Sequence, residues 1–152
     1  MARKRNDGTL LQDKLQEALK AYQENTPSFW YRFYDTKSAG RYLPAQPGDF
    51  LWLLPGVPAI LIEAKSSETG QKLKDMISPA QRGKHKLWHR AGHLTAFVYC
   101  DLEREMVGWA DGQGVIDQGV SHTFWIGPLD DLGSMLNSIA RRLQGGLSER
   151  NL

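Results

Sequence analysis

A chain of 152 residues, 41% hydrophobic and 24% charged, is long enough for one domain with a sizeable core and short for two. No apolar stretch approaches the length of a membrane span, Met1-Ala-Arg-Lys-Arg leads into polar residues instead of a signal-peptide core, and the single cysteine, Cys100, excludes an internal disulfide. A net charge of only +2 excludes a uniformly basic molecule, so any contact with nucleic acid requires positive charge concentrated locally.

The expectation is a single domain over residues 1–152 in a reducing, cytoplasmic setting, with no membrane contact. Residues 1–8 read as a basic arm without fixed structure, able to add phosphate contacts. Thr9 to Glu24 predicts a helix, with Leu11, Leu15, Ala18, Leu19 and Tyr22 as its apolar stripe. Glu17 lies near the edge of that stripe and Glu24 at the helix end; by themselves both are solvated helix residues. Ser28 to Asp35 is aromatic-rich and preceded by Pro27, which predicts a strand with Phe29, Tyr31 and Phe33 on one face and Trp30, Arg32 and Tyr34 on the other. Thr36 to Pro47 is too punctuated for regular structure. With Lys37, Arg41 and Tyr42 it reads either as a loop that grips a DNA backbone or as an ordinary surface connection.

Phe50 to Leu54 and Ala59 to Ile62 are apolar runs around the turn Pro55-Gly56-Val57-Pro58, which predicts two paired strands. Three charges sit where a buried hairpin should have none. Asp49 opens the first strand, and Glu63 and Lys65 share one side of the second. Antiparallel pairing would bring Asp49 beside Glu63. Paired carboxylates with few other ligands suit a hard divalent cation, above all Mg2+, and a neighbouring ammonium can hold the attacking water. The alternative is a Glu–Lys pair on a solvated edge strand, against which the apolar neighbours count.

Ser66 to Asp75 reads as a polar loop. Ser78-Pro79-Ala80-Gln81 then predicts a helix start, with Ser78 as cap, Pro79 at the first position and Gln81 completing a capping box; the helix runs to Ala91 and stops at Gly92. Gln81, Lys84, His85 and Trp88 share a face. From Met76 to Cys100 there is no acidic residue, while Arg82, Lys84, Lys86 and Arg90 supply the local positive charge. Arg82, Lys84, His85 and Lys86 are the DNA-binding candidates of this segment. The spacing of His85, His89 and His93 suggests a zinc face, but Gly92 ends the helix before His93 and no Cys or acid joins the set, which favours DNA-facing or solvated histidines. Leu94 to Tyr99 predicts a buried strand that contains the run leading to Cys100, a core residue. Glu105 to Ala110 is its antiparallel partner, Asp111-Gly-Gln-Gly a turn, and Thr123 to Ile126 an edge strand. Asp130 or Asp131 caps a last helix with the stripe Leu132, Met135, Leu136, Ile139 and Leu143, ended by Gly145-Gly146, and residues 147–152 form a tail.

Pro47-Gly48-Asp49 followed, fourteen positions after the Asp, by Glu63-Ala64-Lys65 resembles the motif of the PD-(D/E)XK nuclease superfamily, with Gly48 as an added residue between Pro and Asp. The resemblance spans Thr9 to about Ala110. The small size, early helix, aromatic strand and loop before Asp49 are most similar to the Holliday junction resolvases of the Hjc and RecU kinds, with VRR-type nucleases next. It implies an α/β fold with a restriction-endonuclease-like core, a central mixed sheet flanked by helices. It implies that Asp49 and Glu63 hold Mg2+ (Mn2+ substituting) with the Ala64 carbonyl, that Lys65 positions the water, and that Gln81 is an active-site neighbour as well as a cap. Resolvase-like members carry a further metal-site acid on the first helix, which points to Glu17, with Glu24 as the rival. The implied function is a homodimeric endonuclease that cuts branched double-stranded DNA at four-way junctions to 5′-phosphate and 3′-hydroxyl ends. A nuclease acting on flaps, ends or duplex DNA, and a nuclease fold kept only for DNA binding, are the competing readings.

Overall fold

The computed structural model describes residues 9–34, 40, 46–118 and 123–150, the side chains of 118 and 146–150 excepted. The expected N-terminal arm and the loop residues Lys37, Arg41 and Tyr42 lie outside the described residues. The elements are α1 (Thr9–Asn25), β1 (Phe29–Arg32), β2 (Phe50–Leu53), β3 (Ile60–Ser67), α2 (Leu73–Met76), α3 (Pro79–Arg90), β4 (Leu94–Asp101), β5 (Met106–Asp111), α4 (Gly112–Gln118), β6 (Thr123–Pro128) and, after a 3-10 turn at Leu129–Asp131, α5 (Leu132–Arg150). The six strands form one mixed sheet in the order β1-β2-β3-β4-β5-β6. Every neighbouring pair is antiparallel except β3 and β4, which run parallel and are joined across one face by α2 and α3. The fold is α/β, a mixed sheet with flanking helices.

Side-chain alternation divides the sheet into two faces. Phe50, Trp52, Ile60, Ile62, Ala64, Ala96, Val98, Val107 and Trp109 pack on one side against Leu11, Leu15 and Leu19 of α1 and Met135, Leu136 and Ile139 of α5. Each of those leucines loses nearly all contact with water, which contributes on the order of 1.5–3 kcal/mol apiece before conformational entropy is set against it. The other face holds Phe97 and Ala110 under Leu73 of α2, Ile77 just after it and Val115 of α4. On that face the helices leave β1 and β2 uncovered: Phe29 and Tyr31 are about half exposed, at 49% and 53%.

Several expectations change in the folded chain. Of the two faces named for β1, which the sequence left unassigned, Phe29 and Tyr31 form the open one, and the face with Trp30 and Arg32 turns inward. Arg32 tolerates burial because its guanidinium donates to Asp13 at 2.8 Å, Gln16 at 2.9 Å and Gln12 at 3.1 Å, all on α1. Residues expected to turn after Asp111 instead start α4. Asp111 Oδ1 accepts the Gln113 amide at 3.3 Å as the cap of that helix, and Val115 buries itself in the second cluster. At the C-terminus α5 runs through Gly145 and Gly146 to Arg150; glycine weakens a helix by about 1 kcal/mol without barring it sterically. Asp131, not Asp130, meets the start of α5, accepting from the Ser134 amide at 3.3 Å. Cys100 is a buried free thiol, pushed up to about 11 chiefly by burial. No helix among the described residues is long and apolar enough to cross a membrane.

Gly112 joins β5 to α4 in direct contact with β4, and a Cβ there would stand 2.6 Å from the backbone carbonyl carbon of Thr95. Backbone cannot yield as a side-chain tip can. Gly112→Ala is therefore expected to lower stability by about 1–3 kcal/mol, read as a lower urea midpoint. Gly133→Ala, where a Cβ meets nothing within 4 Å, serves as the control that should lose nothing.

Candidate active site

The register Arg32↔Phe50↔Ile62 places Phe33, Asp49 and Glu63 on the next row, on the face opposite α1. Asp49 donates its own amide to the Ile62 carbonyl at 2.9 Å and accepts the Phe33 amide on its carbonyl at 2.9 Å. Its Oδ2 then accepts the Ala64 amide at 2.7 Å. At Gly48 a Cβ would be 2.7 Å from Leu61 Cδ1 and 3.3 Å from the Ile62 carbonyl oxygen, so glycine lets the segment cross closely over β3 without displacing Leu61. A strand residue turns its N–H and C=O to the same edge, so the Ala64 carbonyl also faces the Asp49 side.

Glu63 is only 3% exposed. Its carboxyl lies within hydrogen-bonding reach of Asp49's, and the two respond to each other electrostatically. Burial first, then the Glu63 charge and the hydrogen bond with Glu63, push Asp49 up to about 8; the Ala64 amide and Lys65 pull the other way. Burial also raises Glu63, offset by Asp49, Lys65 and Lys84. Two desolvated carboxyls side by side cannot both ionise without a compensating charge, so at neutral pH the pair keeps a proton.

Two lysines approach this pair. Lys65 Nζ donates to Gln81 Oε1 at 2.8 Å. Gln81 Oε1 also accepts the Ser78 amide at 3.0 Å, and Ser78 Oγ accepts the Gln81 amide at 3.1 Å, closing the capping box. One side chain thus caps the start of the helix and fixes the ammonium. Lys84 Nζ donates to the Gln46 carbonyl at 2.7 Å, tying α3 to the segment that enters Asp49.

The remaining expected site residues fall elsewhere. Glu17 lines a groove of about 420 Å³ between α1 and the start of α5, with Lys14, Tyr22, Asp130 and Asn137. That groove is on the α1 face of the sheet, so Glu17 is not brought to the Asp49–Glu63 pair; Glu24 is exposed on the same helix. His85, expected to face DNA or solvent, is fully buried: α3 turns it onto the sheet, stacked on Phe97 with ring centroids 4.7 Å apart. Its Nε2 lies 3.4 Å from Glu63 Oε1. Burial, the largest influence, holds its pKa down at about 4, so the contact joins a neutral ring and a carboxyl. Neither ring nitrogen has a hydrogen-bond partner among the described residues, where a buried unsatisfied group costs about 1–3 kcal/mol. His93 packs against Trp88 instead of aligning with His85. Lys86 is exposed, and Arg82 is half-buried, with Nη2 3.5 Å from the Lys74 carbonyl.

Among the described residues no group of three or more His, Cys, Asp or Glu side chains is arranged to hold a metal ion. That excludes the histidine zinc face there. Two carboxylates and a backbone carbonyl are an oxygen-only set, and it fits a hard cation that keeps several waters and shares its remaining positions with phosphate. The Asp49 carboxyl offers Oδ1, since Oδ2 is taken by Ala64. No family model matches the chain, and no curated protein is significantly similar to it.

Proposed function

We propose that the chain is a metal-dependent endodeoxyribonuclease with a restriction-endonuclease-like core, acting on branched DNA of the four-way-junction class. The observation that carries this reading is the convergence of Asp49, Glu63 and the Ala64 carbonyl at the start of β2, with Lys65 held beside them by Gln81. The strand order supports it too, with three antiparallel strands followed by a helical crossover to a parallel fourth, as does the resemblance of Pro47-Gly48-Asp49 and Glu63-Ala64-Lys65 to the PD-(D/E)XK motif.

Asp49, Glu63 and the Ala64 carbonyl would hold the divalent cation, Mg2+ by donor type. When bound, such an ion polarises the scissile phosphate and makes a bound water acidic. Lys65 places its ammonium where the attacking water and the phosphate charge meet, and Gln81 keeps it from swinging away. Water adds to phosphorus, the bond to the 3′ oxygen breaks, and that oxygen takes up a proton, leaving 5′-phosphate and 3′-hydroxyl. Lys84, Lys86 and Arg82 on α3 supply the cationic flank for the DNA backbone. The partly open apolar face of Phe29, Tyr31, Leu51 and Leu53 adjoins the catalytic row and supports a homodimer, whose two sites would cut two strands symmetrically.

Cleavage of a mobile four-way junction beside a linear duplex of the same sequence tests this reading, with sedimentation of the free protein alongside. The expected result is paired symmetric nicks in the junction alone, dependent on Mg2+, by a dimer. Cutting of flaps or linear duplex would move the substrate to another branch of nucleases. Tight binding without cutting under any divalent cation would make the chain a DNA-binding protein.

A further inference from the structure

We infer that His85 is a positioning residue for the metal-site carboxylate: its imidazole holds Glu63 by Oε1 and leaves Oε2 for the cation. The inference rests on the proposed metal site. His85 is the one buried residue of α3, a place where an apolar side chain would pack without leaving polar atoms unpaired. Its ring is fixed on both sides that matter. Phe97 is directly opposite Glu63 in the β3–β4 register, and the imidazole stacks on Phe97 at 4.7 Å with its plane tilted by 27°. That stack aims Nε2 at Glu63 Oε1, 3.4 Å away, with side-chain exposures of 0% and 4%.

The contact is slightly longer than a good hydrogen bond, and both ring nitrogens lack partners among the described residues. A polar group buried at this depth without a partner calls for an explanation. An Nε2–H donor directed at Glu63 Oε1 supplies one, with Oε2 left for a cation that Asp49 and Glu63 would hold. Carboxylates that hold metals are themselves commonly held by hydrogen bonds from behind, and removing such a partner typically weakens metal binding 10–100-fold. His85 touches neither DNA nor the cation in this role; it acts through Glu63.

The test is Mn2+ binding by the intact chain, followed by electron paramagnetic resonance of the free ion, with thermal unfolding of each variant measured without cation. His85→Phe keeps the ring stack and removes the donor, and its Mn2+ dissociation constant is expected to rise about 10-fold or more. His85→Leu provides the same reading if Phe does not fold. His85→Gln restores an N–H donor and is expected to return affinity to within about threefold of wild type. A structural role alone would lower the unfolding temperature of His85→Phe while leaving Mn2+ affinity unchanged, and that result overturns the inference. Wild-type protein that binds no Mn2+ would overturn the metal site itself, a failure separable from the first.

Discussion

Glu63→Gln is expected to abolish cation-dependent cleavage, lowering the rate by about 10³-fold or more, while the protein stays folded and still binds DNA. The magnitude follows from losing a charged cation ligand and with it several kcal/mol of transition-state charge stabilisation, at about 1.4 kcal/mol per factor of ten. The protein should survive the change because Gln keeps the shape and puts a neutral amide where a desolvated ionisable group stood. Burial raises both carboxyls, and the Glu63 charge raises Asp49 further, an interaction that the neutral amide removes. Single-turnover cleavage and a gel-shift titration separate the two effects. Activity within tenfold of wild type would mean that the chemistry is elsewhere.

The second large effect concerns stability without metal. Asp49 moves from 3.8 to about 8 in the folded chain. A raised folded pKa means that the folded state holds the proton more tightly than the unfolded one. The stability linked to this group is therefore full below pH 3.8 and is lost as the pH rises to about 8. The cation-free protein is expected to lose on the order of a few kcal/mol across that window. Asp49→Asn should flatten the profile. At pH 8 a divalent cation at about 100 times its dissociation constant should restore about 2.7 kcal/mol. Urea midpoints from pH 5 to 9, with and without Mg2+, check both signs. A profile flat in pH and indifferent to Mg2+ would contradict the pairing of Asp49 with Glu63.

The parts of the fold that rest on short-range chemistry were legible in the sequence. Ser78-Pro79-Ala80-Gln81 carries its own cap, and the apolar runs around Pro55-Gly56 specify an antiparallel pair whose register sets Asp49 beside Glu63. What eluded sequence reading depends on which of two faces turns inward. A polar helical face carrying Gln81, Lys84 and His85 is solvated by default, yet here Trp88 marks the inward side: its indole N–H donates to the Ala59 carbonyl at 3.2 Å, and His85 one turn earlier is buried with it. In β1, two aromatic-rich faces compete; the Trp30 side meets the core, and Arg32 beside it bonds Asp13, Gln12 and Gln16 of α1. The same placement of α1 carries Glu17 away from the carboxylate pair. Spacing along the chain could suggest that residue, but the side of the sheet on which a helix packs is a tertiary property.

Whether Asp49 and Glu63 form a divalent-cation site is read from calorimetric titration with Mg2+ and Mn2+ near neutral pH. The buried pair carries a proton before the cation arrives, so binding should expel it. The expected result is one cation per chain, an apparent enthalpy that changes with the ionisation enthalpy of the buffer, and loss of both signals in Asp49→Asn. Absence of binding in the wild type, or equal binding by Asp49→Asn, would contradict it.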